Sequence, residues 1–200
     1  MWSYNRIRDS SKIENKEINW KGPFSWPGFE KENNLNTIID VAGVYILSFE
    51  YKDGFLLYAV GITNSTRKRI LTHAREYRKG NYNILDSDCA RNGEREEIWH
   101  GWKYAKTHKE EFLEKKDYIL EATEKQLKSF RIFIAEIPEL RKRERIEAAL
   151  MQNIYVSKES WSELADRGMH LKGRYNVEIP IEIQNLCKQK LYGLPNNIEI

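Results

Sequence analysis

Apolar residues dominate the stretch from Gly43 to Gly61, and its polar interruption falls at Lys52-Asp53-Gly54. Val44, Ile46 and Leu47 are strand formers, and Asp53-Gly54 supplies the positive backbone angles of a tight turn. Residues 43 to 61 are therefore predicted to form an antiparallel hairpin, with strands at about 43–49 and 55–61. A third strand is predicted at 131–137, in the isoleucine-rich segment RIFIAEIP that Pro138 stops. Elsewhere the apolar period is that of a helix. Over Thr66 to Lys79, Arg69, His73 and Tyr77 fall at i, i+4 and i+8 and share one face, while Ile70 and Ala74 line a neighbouring apolar stripe. From Thr107 a capping box, Thr-His-Lys-Glu, opens a predicted scaffold helix to about Lys128, with Phe112, Ile119, Leu120 and Leu127 on one side. A last helix is predicted at about 139–155, where Ile146, Leu150 and Ile154 make a stripe with Glu147 directly beside it.

The ends follow a different pattern. Residues 1–40 are polar except for INWKGPFSWPGF, in which Trp20, Phe24, Trp26 and Phe29 are interrupted by Pro23 and Pro27. Regular helix is excluded there, and the segment reads as an extended N-terminal arm that packs its aromatics on the core. The loop-like NYNILDSDCARNG and the aromatic cluster IWHGW open a helical insertion of about 82–128. The organisation expected is thus an arm (1–40), one main domain (41–180) carrying that insertion, and a C-terminal tail (181–200). A chain of 200 residues, 40% hydrophobic, is long enough for one well-buried core and too short to favour two.

Composition narrows the function classes. No apolar run approaches the roughly 20 residues a bilayer demands, and the start MWSYNRIRDSSKIENK lacks the apolar centre of a signal peptide, so a cytoplasmic protein with no membrane partner is expected. Cys89 and Cys187 stand far apart with no paired-cysteine motif, which argues against a zinc site and against a disulfide framework; both are expected to be reduced. His100, His108 and His170 lack metal-ligand spacing and read as structural. A net charge of +3 does not by itself mark a nucleic-acid binder. Local clustering says more: Arg67, Lys68, Arg69, His73, Arg75, Arg78 and Lys79 crowd one stretch, and Arg141, Lys142, Arg143 and Arg145 another.

Those basic clusters flank an ordered set of chemistry-bearing residues. Gly-Val-Tyr at 43–45 is followed by Tyr-Ala-Val-Gly at 58–61, then by Arg69 eight residues after Gly61, by His73 one helical turn further on, and by Glu147 on a helix after the strand ending Ile-Pro. In that order and spacing, over about residues 42–176, the chain resembles the GIY-YIG nuclease family. The resemblance implies an α+β domain whose three-stranded antiparallel sheet is flanked by helices, and metal-dependent endonucleolytic cleavage of DNA. It implies that Glu147 holds a single Mg2+ or Mn2+ ion, that Arg69 contacts the scissile phosphate, that Tyr45 orients or deprotonates the attacking water, and that His73 assists. Arg67, Lys68, Arg75 and Arg143 would then contact the incoming DNA, and Asn176, in GRYN, resembles the asparagine that closes many family domains. RNA stays open as a substrate and a homodimer as the assembly.

One position departs from the pattern. The family's second tyrosine stands two residues before the glycine, where this chain has Ala59, and Tyr58 is one place earlier. Side chains alternate across a strand, so an unbulged strand would turn Tyr58 to the opposite face. Three outcomes are open: a bulge rescues Tyr58, another phenol such as Tyr77 takes its place, or the site is weakened. The last would leave a nucleic-acid-binding protein in place of a strong enzyme, or a partner-binding scaffold.

Overall fold

A computed structural model of the chain describes residues 13–167 and 170–200. In chain order the elements are β1 (Glu14–Ser25), α1 (Glu30–Asn33), β2 (Gly43–Tyr51), β3 (Gly54–Thr63), α2 (Thr66–Arg78), β4 (Ile84–Leu85), α3 (Ser87–Arg91) and β5 (Glu97–Trp99). There follow α4 (Trp102–Thr107), α5 (Lys109–Glu114), α6 (Lys116–Ser129), β6 (Arg131–Glu136) and α7 (Leu140–Tyr155). A 3-10 turn at Ser160–Leu164 and strands β7 (Ile181–Cys187), β8 (Leu191–Tyr192) and β9 (Asn197–Glu199) complete the chain.

The predicted hairpin and third strand lie side by side, in the order β3-β2-β6 and antiparallel throughout. They do not make the whole sheet. The expectation of a three-stranded antiparallel sheet is corrected to a seven-stranded, curled mixed sheet, a half-barrel of order β8-β3-β2-β6-β1-β7-β9. Two pairings are parallel, β1 with β7 and β3 with β8. The physical reason is the free edge of β6: its outer N–H and C=O groups need partners, and β1 supplies them.

The segment read as an extended arm is therefore a sheet strand from Glu14 onward, and the first twelve residues of that arm lie outside the described residues. Its ladder with β6 slips between Lys21 and Phe24, and Gly22-Pro23 sits at that irregularity, the place in a sheet where a proline is tolerated. Trp20 and Trp26 are buried, Trp20 donating its indole N–H to Asn185 Oδ1 at 2.9 Å. The C-terminal tail likewise pairs into the sheet through β7 and β9, with Ile181, Ile183 and Asn185 turned inward.

Period-two alternation divides the core. On one face Tyr45, Leu47 and Phe49 pack with Ile70, Ala74 and Tyr77 of α2 and with Ile119 and Leu127 of α6. On the other, Val44, Ile46 and Val60 pack with Ile146, Leu150 and Ile154 of α7. The single helix expected over about 107–128 is two, α5 and α6, broken at Lys115, with the separate α4 ending at Thr107. The break lets Phe112 pack on Trp99, ring centres 5.4 Å apart, while Ile119 and Leu127 enter the sheet core. No helix among the described residues is long and apolar enough to cross a membrane.

Candidate functional site

A small cleft of about 90 Å³ opens where α2, α7 and the hairpin meet, and Tyr45, Gly61, Arg69, His73 and Glu147 line it. Residues 102 positions apart thereby share a wall, because each element is aimed by local chemistry. Ser65 caps α2 by accepting from the Lys68 N–H at 3.3 Å, and its own hydroxyl donates to Asp40 at 2.7 Å. Thr66 donates to the Ile39 carbonyl at 2.5 Å and accepts from the Val41 N–H at 3.1 Å. The first turn of α2 is thus stitched to the chain entering β2, which fixes how Arg69 and His73 face Tyr45.

Glu147 reaches the same cleft from the opposite layer. Strand β8 covers β3 only at Phe55 and Leu56, and beyond it the edge of β3 is met by the Asp166 N–H at the Tyr58 carbonyl and not by a further strand, which leaves room for the α7 carboxylate to enter. Gly61 sits on that edge, and a Cβ there would run into the Tyr45 ring.

Burial and one arginine govern the electrostatics. The Tyr45 hydroxyl lies 2.6 Å from His73 Nε2, and the Arg69 Nε–H donates to it at 3.4 Å. With the arginine hydrogen taking one lone pair of Oη, the tyrosine's own proton is left to donate to His73 Nε2, so the single proton of the neutral imidazole sits on Nδ1. Burial pulls His73 down to about 3, and the Arg69 charge pulls in the same direction, so the imidazole is neutral at physiological pH. Burial pushes the Tyr45 phenol up to about 12 against the opposing pull of Arg69. It also pushes Glu147 up to about 7, again opposed by Arg69. A carboxylate poised near neutrality in a cleft is one that a cation or a phosphate-bound ion can finish deprotonating.

Three cleft residues were not singled out in the sequence as site residues: Tyr82, Trp102 and Asp166. The first two come from the insertion, where only an aromatic cluster was legible. Asp166 follows the 3-10 turn, and burial pushes it up to about 6 against the pull of Arg95. It is held by Asn83, whose Nδ2 lies 3.4 Å from its carboxylate.

The strand does bulge. Leu47 opposes Ala59 and Ser48 opposes Leu57, so Tyr58 is the extra residue. Tyr58 and Ala59 consequently face the same layer as Tyr45, yet the Tyr58 ring goes into the core against Phe49 and Phe130, 5.7 and 5.6 Å away, and does not line the cleft. Tyr77 does line it, with Ala59 beside it.

Arg67, Lys68 and Arg75 stand exposed on α2 outside the cleft. Arg143, expected to contact DNA, is 2% exposed, and its guanidinium donates to the Thr63 carbonyl and to Asn64 Oδ1, pinning the β3–α2 connection. Asn176 lies at the surface in the turn between Tyr175 and Glu178 and is not a cleft residue.

Among the described residues no three of His, Cys, Asp and Glu stand together as a ready metal cage. The donor set still suits a hard cation of the magnesium class, which keeps most of its water and takes one or two carboxylates together with substrate phosphate. Two carboxylates line the cleft, Glu147 and Asp166, and Glu147, on the side of Arg69, is the one that could hold such a cation. Compared with family models, curated proteins and solved structures, the chain matches none.

Proposed function

We propose that this cleft hydrolyses phosphodiester bonds in DNA as a metal-dependent endonuclease with a site of GIY-YIG type, carried on a larger sheet. The observation that supports the reading most is the convergence at Tyr45: its hydroxyl is 2.6 Å from a neutral imidazole and 3.4 Å from a guanidinium, in a cleft whose other wall is Glu147. A divalent cation on Glu147 would supply charge neutralisation on the phosphoryl oxygens. Arg69 binds the phosphate beside it and favours any negative charge that develops on Tyr45. His73, neutral, accepts the Tyr45 hydrogen bond and fixes the hydroxyl, whose oxygen then orients the attacking water. A binding-only protein gains nothing from a carboxylate beside phosphate, where its charge repels.

A second reading has one observation in its favour. Ala59 occupies the cleft wall where a second strand phenol would stand, and Tyr58 is withdrawn into the core. On that reading the cleft binds nucleic acid and cleaves weakly or not at all.

Supercoiled plasmid separates the two. The purified chain is expected to convert it to nicked circles with Mg2+ or Mn2+ and not with chelator; salt-sensitive gel shifts without nicking on any duplex, branched or single-stranded DNA would leave only the binder. Two arginines should then part company. Arg67→Ala removes an exposed charge and should lower affinity and the salt slope by about one unit, whereas Arg69→Ala should cut turnover by about 10²- to 10³-fold with a smaller effect on affinity. Parallel behaviour of the two variants in both assays would show that Arg69 is only a steering charge.

A further inference from the structure

The aromatic rings of the cleft form a row that runs outward. Tyr45 and His73 have ring centres 5.8 Å apart, His73 and Tyr82 5.3 Å, and Tyr82 and Trp102 5.1 Å. Tyr77 flanks the row at 5.0 Å from Tyr82. The inner members are covered by one another, but Trp102, at the mouth, is 40% exposed. An indole left that open forgoes apolar burial that a collapse onto the core would supply.

The backbone holds it there. Trp102 has φ 55°, the left-handed region that a bulky residue rarely adopts and that persists only where surrounding structure dictates it. Its N–H donates to the Asn81 carbonyl at 2.8 Å. The preceding Gly101 donates to Asn83 Oδ1 at 2.8 Å, and a Cβ at Gly101 would meet the Tyr82 and Asn83 backbone. Asn83 is itself buried and hydrogen-bonded to Gln126, so the insertion fixes the indole from beneath. The ring is thus preset at the rim of a cleft whose inner end carries Arg69, and little ordering is left for a ligand to impose.

We propose that Trp102 is a stacking platform for one unpaired nucleobase next to the phosphate held by Arg69, so that the preferred substrate is DNA with an unpaired nucleotide at the cleavage point: a bulge, a flap or a single-strand junction. The proposal rests on the reading of this cleft as one that receives a DNA phosphate. In a paired duplex both faces of each base are stacked on neighbours, so an indole beside the backbone finds no partner; an unpaired base presents a whole face. Stacking of this kind tolerates any base, and the platform would select structure without selecting sequence.

The test uses the full chain in chelator, where nothing is cut, with DNA duplexes carrying the fluorescent base 2-aminopurine either unpaired in a one-nucleotide bulge or paired. Wild type is expected to bind the bulged duplex about 5- to 100-fold more tightly and to quench its fluorescence. Trp102→Ala should lose the preference and the quenching with the salt slope unchanged, and Trp102→Phe, which restores a ring, should recover most of both. Circular dichroism of each variant verifies that it is folded. Equal binding of the two duplexes by wild type, or a folded Trp102→Ala that keeps the preference, overturns the platform, and tighter binding of the matching RNA overturns the choice of DNA. Plasmid nicking with no structural preference would remove the platform and leave the nuclease standing. Preference and quenching in a protein that nicks nothing would do the reverse.

Discussion

Glu147→Gln should abolish metal-dependent nicking, lowering the rate by at least about 10³-fold, while making the protein more stable at alkaline pH. The first effect follows from removing the carboxylate that would hold the cation, a source of several kcal/mol of charge stabilisation. The second follows from burial. In the folded chain Glu147 sits at about 7 against an ordinary value of 4.5. Between those values the folded state keeps a proton that the unfolded chain has released, so the stability present below 4.5 is lost as pH rises through 7. Glutamine cannot ionise and escapes that loss. The variant's advantage should therefore be near zero at pH 4.5 and reach about 1–2 kcal/mol at pH 8, discounted for the solvent that reaches the cleft. Asp166 shifts in the same direction in both proteins and cancels in the comparison. Nicking assays with thermal melts at several pH values check both halves; an active variant would remove the carboxylate from the mechanism, and a pH-independent stability difference would mean that Glu147 is not buried in solution. Wild-type nicking should in turn rise with pH through about 7, as the carboxylate loses the proton with which a cation competes.

Gly61→Ala should cost at least about 10²-fold in turnover with the fold intact. The Cβ it adds would stand 2.9 Å from Tyr45 Cε1 and closer still to Cζ and Oη. The conformation of Gly61 is open to any residue, so the conflict is purely one of space. It falls on a buried ring, 3% exposed, which has to leave its place and with it the 2.6 Å bond to His73. Overpacking of this kind costs about 1–3 kcal/mol of stability, and misplacing a group that orients the attacking water by about 1 Å costs about 10²-fold in rate. Glu147 is untouched, so Mn2+ affinity should be unchanged. That separates the variant from Glu147→Gln. Full activity in a folded Gly61→Ala would mean that the position of the Tyr45 hydroxyl does not matter to the reaction.

The sequence by itself determined the parts of this protein whose signals are local. Val44, Ile46 and Leu47 with the Asp53-Gly54 turn specified the hairpin, RIFIAEIP the strand beside it, and two stripes the helices at Thr66–Arg78 and Leu140–Tyr155. The i, i+4 spacing of Arg69 and His73 was enough to put them on one face. What needed distant partners was not legible. Strand β1 hides in a polar alternation broken by Pro23, since its identity comes from the hydrogen-bonding edge of β6 more than 100 residues away. The bulge at Tyr58 depends on how two strands are registered, and neither strand's own pattern records it. Arg143 reads as one more surface cation until the β3–α2 loop is seen to take its guanidinium. Tyr82 and Trp102 gained a place at the cleft only when buried bonds from Asn83 folded the insertion back against α2. Local propensity is written residue by residue; edges, registers and the satisfaction of buried polar groups are properties of pairs, and only the tertiary structure brings the pairs together.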